Sequence, residues 1–167
     1  MIRHTARALC AASLVIAPLA LAAAPAHAVT SCTVNGRSAP VVMGQVNGTA
    51  GSDYIVCSSV DPGHQVNGRG GNDYIVLTGP TAGTVTGGLG RDYITSRSNV
   101  VVSGVIAGNE ESDYLVVDGL LTASGAVRGN AGNDYLRVNV NNGTANGGDG
   151  FDACQVNTGN PPVNCEY

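Results

Sequence analysis

Six aspartates recur along the chain at nearly even intervals: Asp53, Asp73, Asp92, Asp113, Asp134 and Asp152, separated by 20, 19, 21, 21 and 18 residues. Five positions before each stands a glycine, at Gly48, Gly68, Gly87, Gly108, Gly129 and Gly147. A carboxylate brings a hard anionic oxygen, and glycine admits backbone conformations that curl peptide carbonyls toward the same hollow. Oxygens of these two kinds are what Ca²⁺ binds, about six to eight at a time. A single Asp-Gly turn would be no more than a turn, since both residues favour turns. Six in register form a column of candidate metal ligands. Without a cation, like charges stacked at strand spacing would destabilise one another.

The elements that must hold this column follow from the residues around it. Two positions after each aspartate come Ile55, Ile75, Ile94, Leu115, Leu136 and Cys154; two further on come Cys57, Leu77, Ser96, Val117, Val138 and Val156. An alternation of period two puts both rows on one face of a strand. A second apolar row, Val46, Val66, Val85, Ile106, Val127 and Ala145, precedes the glycines by two. Each unit therefore predicts two short strands, a glycine-rich turn between them, and a return marked by Gly63, Gly83, Gly104, Gly125 and Gly143. A unit this small cannot bury its own apolar side chains, whereas stacked copies share a continuous interior. The expected fold is all-β: a parallel β-solenoid of about six rungs, each about 20 residues long, stacked roughly 4.8 Å apart. An antiparallel sandwich also uses short strands at such spacing, but gives no reason for identical turns at every second connection.

The segments GGLGRDYIT, from Gly87, and GGDGFDACQ, from Gly147, carry every fixed glycine and the aspartate of the nonapeptide G-G-x-G-x-D-x-U-x. GTAGSDYIV, GRGGNDYIV and GNAGNDYLR lack only its second glycine. From Gly48 to about Val156 the chain thus resembles the RTX, or haemolysin-type, calcium-binding repeat family. The resemblance implies a right-handed parallel β-roll with Ca²⁺ between successive turns, each aspartate bridging ions above and below, and turn carbonyls completing the shell. Two departures shape the expectation. Family members repeat the turn every nine residues and so line both edges of the roll, whereas this chain has one such turn per rung and should hold a single line of ions. The fourth unit, GNEESDYLV, places Glu111 where the third glycine belongs, which predicts a strained turn. Glu110, Glu111 and Asp149 read first as solvated carboxylates and second as extra ligands. No toxin or protease domain accompanies the repeats, so the chain resembles that family's repeat region standing alone.

Immediately after five of the aspartates stand Tyr54, Tyr74, Tyr93, Tyr114 and Tyr135, facing away from the interior and flanked by Val56, Val76, Thr95, Val116 and Arg137. Such a ladder stabilises a sheet through ring contacts and strand propensity. As an exposed patch it is equally a candidate face for a partner, either a cell-surface polysaccharide or a second copy of the chain.

Arg3 and Arg7, the apolar run from Ala8 to Ala24 and the closing Ala26-His27-Ala28 have the form of a secretory signal, and Pro18 and Pro25 argue against a membrane span. A secreted, extracellular protein is expected. Beyond Ala28, six arginines face twelve carboxylates, a net charge of −6 that disfavours nucleic acid and anionic membranes. His64 is the one histidine there and no nucleophile motif accompanies it, so an enzyme is not expected. The organisation reads as a signal peptide over 1–28, an N-terminal cap over 29–46, the solenoid over 47–156 and a C-terminal cap over 157–167. Four cysteines remain in the exported part. Cys57 in the first rung and Cys154 in the last would stand about 24 Å apart at the stacking distance, far beyond the ~7 Å between Cα atoms that a disulfide spans. The predicted pairs are therefore local, Cys32 with Cys57 and Cys154 with Cys165, each pinning a cap.

Overall fold

The computed structural model describes residues 29–167; the export signal expected over 1–28 lies outside them. The strands, in chain order, are β1 (Ser31–Val34), β2 (Arg37–Ala39), β3 (Gln45–Asn47), β4 (Tyr54–Ser59), β5 (Gln65–Gly70), β6 (Tyr74–Leu77), β7 (Thr84–Leu89) and β8 (Tyr93–Ser96). They continue with β9 (Val101–Val102), β10 (Val105–Glu110), β11 (Tyr114–Leu121), β12 (Ala126–Ala131), β13 (Tyr135–Asn141), β14 (Thr144–Asp149) and β15 (Ala153–Gly159). No helix occurs among the described residues. Strands alternate between two sheets, so successive rungs stack in parallel and the chain is a β-solenoid.

One sheet runs β15-β13-β11-β8-β6-β4 and carries the tyrosines; the other runs β14-β12-β10-β7-β5-β3 and carries the glycines. Register repeats rung by rung. Tyr54 pairs with Tyr74, Tyr74 with Tyr93, Tyr93 with Tyr114 and Tyr114 with Tyr135. On the second sheet Val46, Val66, Val85, Ile106, Val127 and Ala145 align in the same way.

The two predicted apolar rows meet in the interior, where Ile55, Ile75, Ile94, Leu115 and Leu136 face the valine row and are almost fully buried. Each such side chain contributes about 1.5–3 kcal/mol on leaving water, which accounts for a core without tryptophan or phenylalanine. A third row closes the interior: Val60, Thr81, Val102, Leu121 and Asn141, one per rung and all buried.

Both ends are covered. At the first, β1 pairs antiparallel with β4 and β2 pairs with β1, setting Cys32 opposite Cys57 in a disulfide. At the last, the chain beyond β15 folds back beneath the final rung: Gly147 N–H donates to the Val163 carbonyl at 3.0 Å and Cys154 N–H to the Tyr167 carbonyl at 2.8 Å. The Cys154–Cys165 disulfide fixes that return.

Candidate metal centre

Each column aspartate sits one residue ahead of a tyrosine-bearing strand, or of β15 in the case of Asp152, and points into the solenoid rather than out of the turn. All six are 1–4 % exposed. Their Oδ1 atoms form a ladder. The Asp53 N–H donates to Asp73 Oδ1, Asp73 to Asp92, Asp92 to Asp113, Asp113 to Asp134 and Asp134 to Asp152, each at 2.8 Å. A backbone donor to a carboxylate is a charge-assisted bond, so half of each carboxyl group is built into the stacking of rungs.

Two residues outside the repeat terminate this ladder. Asn35 Nδ2 donates to Asp53 Oδ1 at 2.6 Å, and its own Oδ1 accepts the Tyr54 N–H at 2.9 Å. At the other end Glu166 Oε2 accepts the Asp152 N–H at 2.6 Å. Asn35 and Glu166 lie in the caps, where the spacing rule that finds the aspartates does not reach them. A position in each cap segment bearing an amide or carboxylate was the one available signal.

The second carboxyl oxygens are treated differently. In the first rung, Asp53 Oδ2 accepts Thr49 N–H at 2.6 Å and Thr49 Oγ1–H at 3.0 Å. In the other five rungs, Oδ2 of Asp73, Asp92, Asp113, Asp134 and Asp152 is buried with no hydrogen-bond partner. A buried ionised oxygen without a donor is costly. Burial accordingly pushes the carboxyls up from 3.8, to about 6 at Asp73, about 7 at Asp92, about 7 at Asp113 and about 6 at Asp134. The backbone N–H bonds pull the other way, and repulsion from neighbouring column members adds to the rise, with Glu111 contributing at Asp92 and Asp113. Among the described residues the one ion pair, Arg137 with Asp118 at 2.7 Å, lies on the outer face of the tyrosine sheet. No arginine neutralises the column.

The glycines serve it in a way that differs from the expectation. None of Gly48, Gly68, Gly87, Gly108, Gly129 and Gly147 has a left-handed backbone. They are glycines because the carboxylate occupies the space of a side chain. A Cβ on Gly48 would lie 2.7 Å from Asp53 Oδ2 and 2.5 Å from the Gly68 carbonyl oxygen. On Gly87 it would collide with Asp92 Oδ2, with Cγ 2.6 Å and Cβ 2.8 Å away. The left-handed positions fall one and three residues later, at Gly88 and Gly90 in that rung. Glu111 occupies the second of these positions with φ 74°, so the fourth turn is strained, as its sequence suggests.

Could the residues hold a calcium ion? Among the described residues no three acidic, histidine or cysteine side chains converge as a ready-made cage; the rungs deliver carboxylates in single file. The donor set is nevertheless all oxygen. The five partnerless Oδ2 atoms are buried against the column glycines, and the carbonyls of Gly68, Gly87 and Gly147 also lie against the glycine of the preceding rung. Hard oxygens, stacked anions and the absence of nitrogen or sulfur ligands suit calcium in kind.

The tyrosines stack as predicted. Ring centroids are 5.5 Å apart for Tyr54 and Tyr74, 4.9 Å for Tyr74 and Tyr93, 4.9 Å for Tyr93 and Tyr114, and 4.3 Å for Tyr114 and Tyr135, with planes within 19° of parallel. Ring faces are thus covered by neighbours, and edges and hydroxyls look outward. His64 is engaged with the N-terminal segment: its Nδ1 lies 2.8 Å from Thr30 Oγ1, which also accepts the Asp61 N–H at 2.8 Å. No family model, no curated protein and no solved structure matches this chain.

Proposed function

We propose that this is an exported calcium-binding protein of the RTX-repeat type, in which ions along the aspartate column complete the fold. The observation that carries this reading is the set of five buried Oδ2 atoms without a partner. They are charge-bearing oxygens in a protein interior that supplies neither donor nor counter-ion, and a divalent cation supplies both neutralisation and a bond. Asp73, Asp92, Asp113, Asp134 and Asp152 would hold it together with turn carbonyls. Asp53, whose Oδ2 already has two donors in Thr49, would contribute least. Export is supported by two disulfides in so short a chain, which suit an oxidising compartment.

The test is thermal unfolding of chelator-treated protein at pH 8, disulfides intact, with Ca²⁺ or Mg²⁺ added and far-ultraviolet circular dichroism as readout. Calcium at a hundred times its dissociation constant adds about 2.7 kcal/mol per site, and the gain should shrink in an Asp73→Asn, Asp92→Asn double variant. Equal melting temperatures with and without calcium would overturn the reading. A second reading, a contact face for cell-surface polysaccharide or for another copy of the chain, draws support from the exposure of Tyr54, Tyr74 and Tyr114. Concentration-dependent association, or retention on a glycan array, would favour it.

A further inference from the structure

The tyrosine column has a reactivity that neither stacking nor metal binding uses. Five phenols stand in adjacent rungs, in register and nearly parallel, and Tyr114 and Tyr135 approach closest, at 4.3 Å between centroids. Their outer edges meet solvent: Tyr54 is 48 %, Tyr74 41 % and Tyr114 37 % exposed. Tyr93 and Tyr135 are half-buried, so each stacked pair has at least one ring exposed to an oxidant. The described chain contains no tryptophan and one phenylalanine, Phe151, which sits at the far end against Tyr167. Tyr167, 73 % exposed, is the one other phenol among the described residues, and it stands outside the stacked column.

We propose that this column is an oxidative cross-linking site, at which neighbouring tyrosines couple within one molecule to dityrosine and staple adjacent rungs, Tyr114 to Tyr135 foremost. The co-reactant is a peroxide-driven one-electron oxidant of the haem-peroxidase class. Each of two phenols loses one electron and one proton to become a phenoxyl radical. The radicals join through a carbon–carbon bond between ortho positions, and the two ring hydrogens shift to restore both phenols. Over the whole step the protein loses two hydrogen atoms, and one hydrogen peroxide is reduced to two waters. In-register stacking lets a hole formed on any ring pass to the closest pair. The link would be a covalent tie across strands that are otherwise joined by non-covalent contacts, the backbone ladder and the Arg137–Asp118 ion pair, at the end of the column away from the Cys32–Cys57 disulfide.

The experiment uses the full-length secreted protein with horseradish peroxidase and hydrogen peroxide, over a series of dilutions. It reads dityrosine fluorescence, gel mobility and cross-linked peptides by mass spectrometry. The expected product is a monomer lacking two hydrogens, formed in a yield independent of dilution, with the Tyr114–Tyr135 peptide pair dominant and lost in Tyr114→Phe. The Tyr54–Tyr74 and Tyr74–Tyr93 pairs should survive in that variant, which controls for its folding. Met43, 98 % exposed, is the competing sink, and gains oxygen rather than losing hydrogen. Dityrosine found only in covalent dimers, with a yield falling on dilution, or formed no better in native protein than in reduced, urea-unfolded protein, would overturn the proposal.

Discussion

Replacing Gly87 by alanine tests the packing of the column without involving any ion. A Cβ there would strike Asp92 Oδ2 and stand 2.6 Å from Cγ and 2.8 Å from Cβ of the same residue. The far end of a flexible side chain would yield cheaply, but Asp92 is 3 % exposed and its Oδ1 accepts the Asp73 N–H at 2.8 Å. Forcing a methyl group into a packed interior costs about 1–3 kcal/mol. Displacing the carboxyl leaves a buried N–H unpaired at about 1–3 kcal/mol more, and the stiffer unfolded chain returns about 0.4–1 kcal/mol. The net expectation is a loss of about 1–5.5 kcal/mol, a large part of the roughly 5–15 kcal/mol that holds a domain of this kind. Urea unfolding in chelator at pH 8 measures it. The control is Gly51→Ala, where the nearest atom to an added Cβ is Thr49 Oγ1 at 3.9 Å and the backbone is not left-handed; it should fall within about 0.5 kcal/mol of wild type. A Gly87→Ala, Asp92→Ala double variant removes the obstruction, so its cost should fall short of the summed single costs by at least about 1 kcal/mol. A Gly87→Ala protein as stable as wild type, equal losses at Gly51 and Gly87, or strict additivity in the double variant would refute the reasoning.

Stability in chelator should rise as pH falls from about 8 to 5, the reverse of the usual carboxylate trend. The folded-state values of about 6 at Asp73 and Asp134 and about 7 at Asp92 and Asp113 lie above the ordinary 3.8, so the folded protein holds protons that the unfolded chain has released. That stability is complete below 3.8 and lost as pH rises through 6 and 7; a melting temperature flat from pH 8 to 5 contradicts it. Glu111→Gly should stabilise by about 0.5–1 kcal/mol, because a left-handed non-glycine residue costs about 1–2 kcal/mol and the added freedom of the unfolded chain returns part of it. A lower urea midpoint in that variant would count against the strain at φ 74°. Serine pairs at Cys32 and Cys57, spanning 25 residues, and at Cys154 and Cys165, spanning 11, should cost about 3.5 and about 3 kcal/mol in denaturant melts. A loss below about 1 kcal/mol in either would mean that its cap holds without the bridge.

The rungs were legible in the sequence because each repeats the same chemistry at the same place. Apolar rows two residues apart on either side of a glycine turn admit one register, and the strands take it. The third interior row was hidden because Thr81 and Asn141 interrupt it. Both survive burial through hydrogen bonds, Thr81 Oγ1–H locally to the Gly79 carbonyl at 3.3 Å and Asn141 Nδ2–H to the Asn160 carbonyl, 19 residues on, at 2.8 Å, so hydrophobicity alone does not mark them. The aspartate column was legible as a pattern, yet the pattern is silent on where a side chain points. Turn chemistry suggested glycines that bend the backbone; the interior instead requires glycines that leave room, and the two demands produce the same letter at Gly48, Gly68, Gly87, Gly108, Gly129 and Gly147. What no spacing rule discloses is the division of labour inside each carboxyl group. One oxygen is committed to the preceding rung by a backbone hydrogen bond, which favours the charged carboxyl. In five rungs the other is buried against a glycine with no donor, so burial penalises its charged form. A solenoid built this way keeps its stacking in the side chain's first oxygen and exposes its response to the surroundings in the second, so asparagine at a column position should preserve the stack and silence the response, whereas alanine removes both.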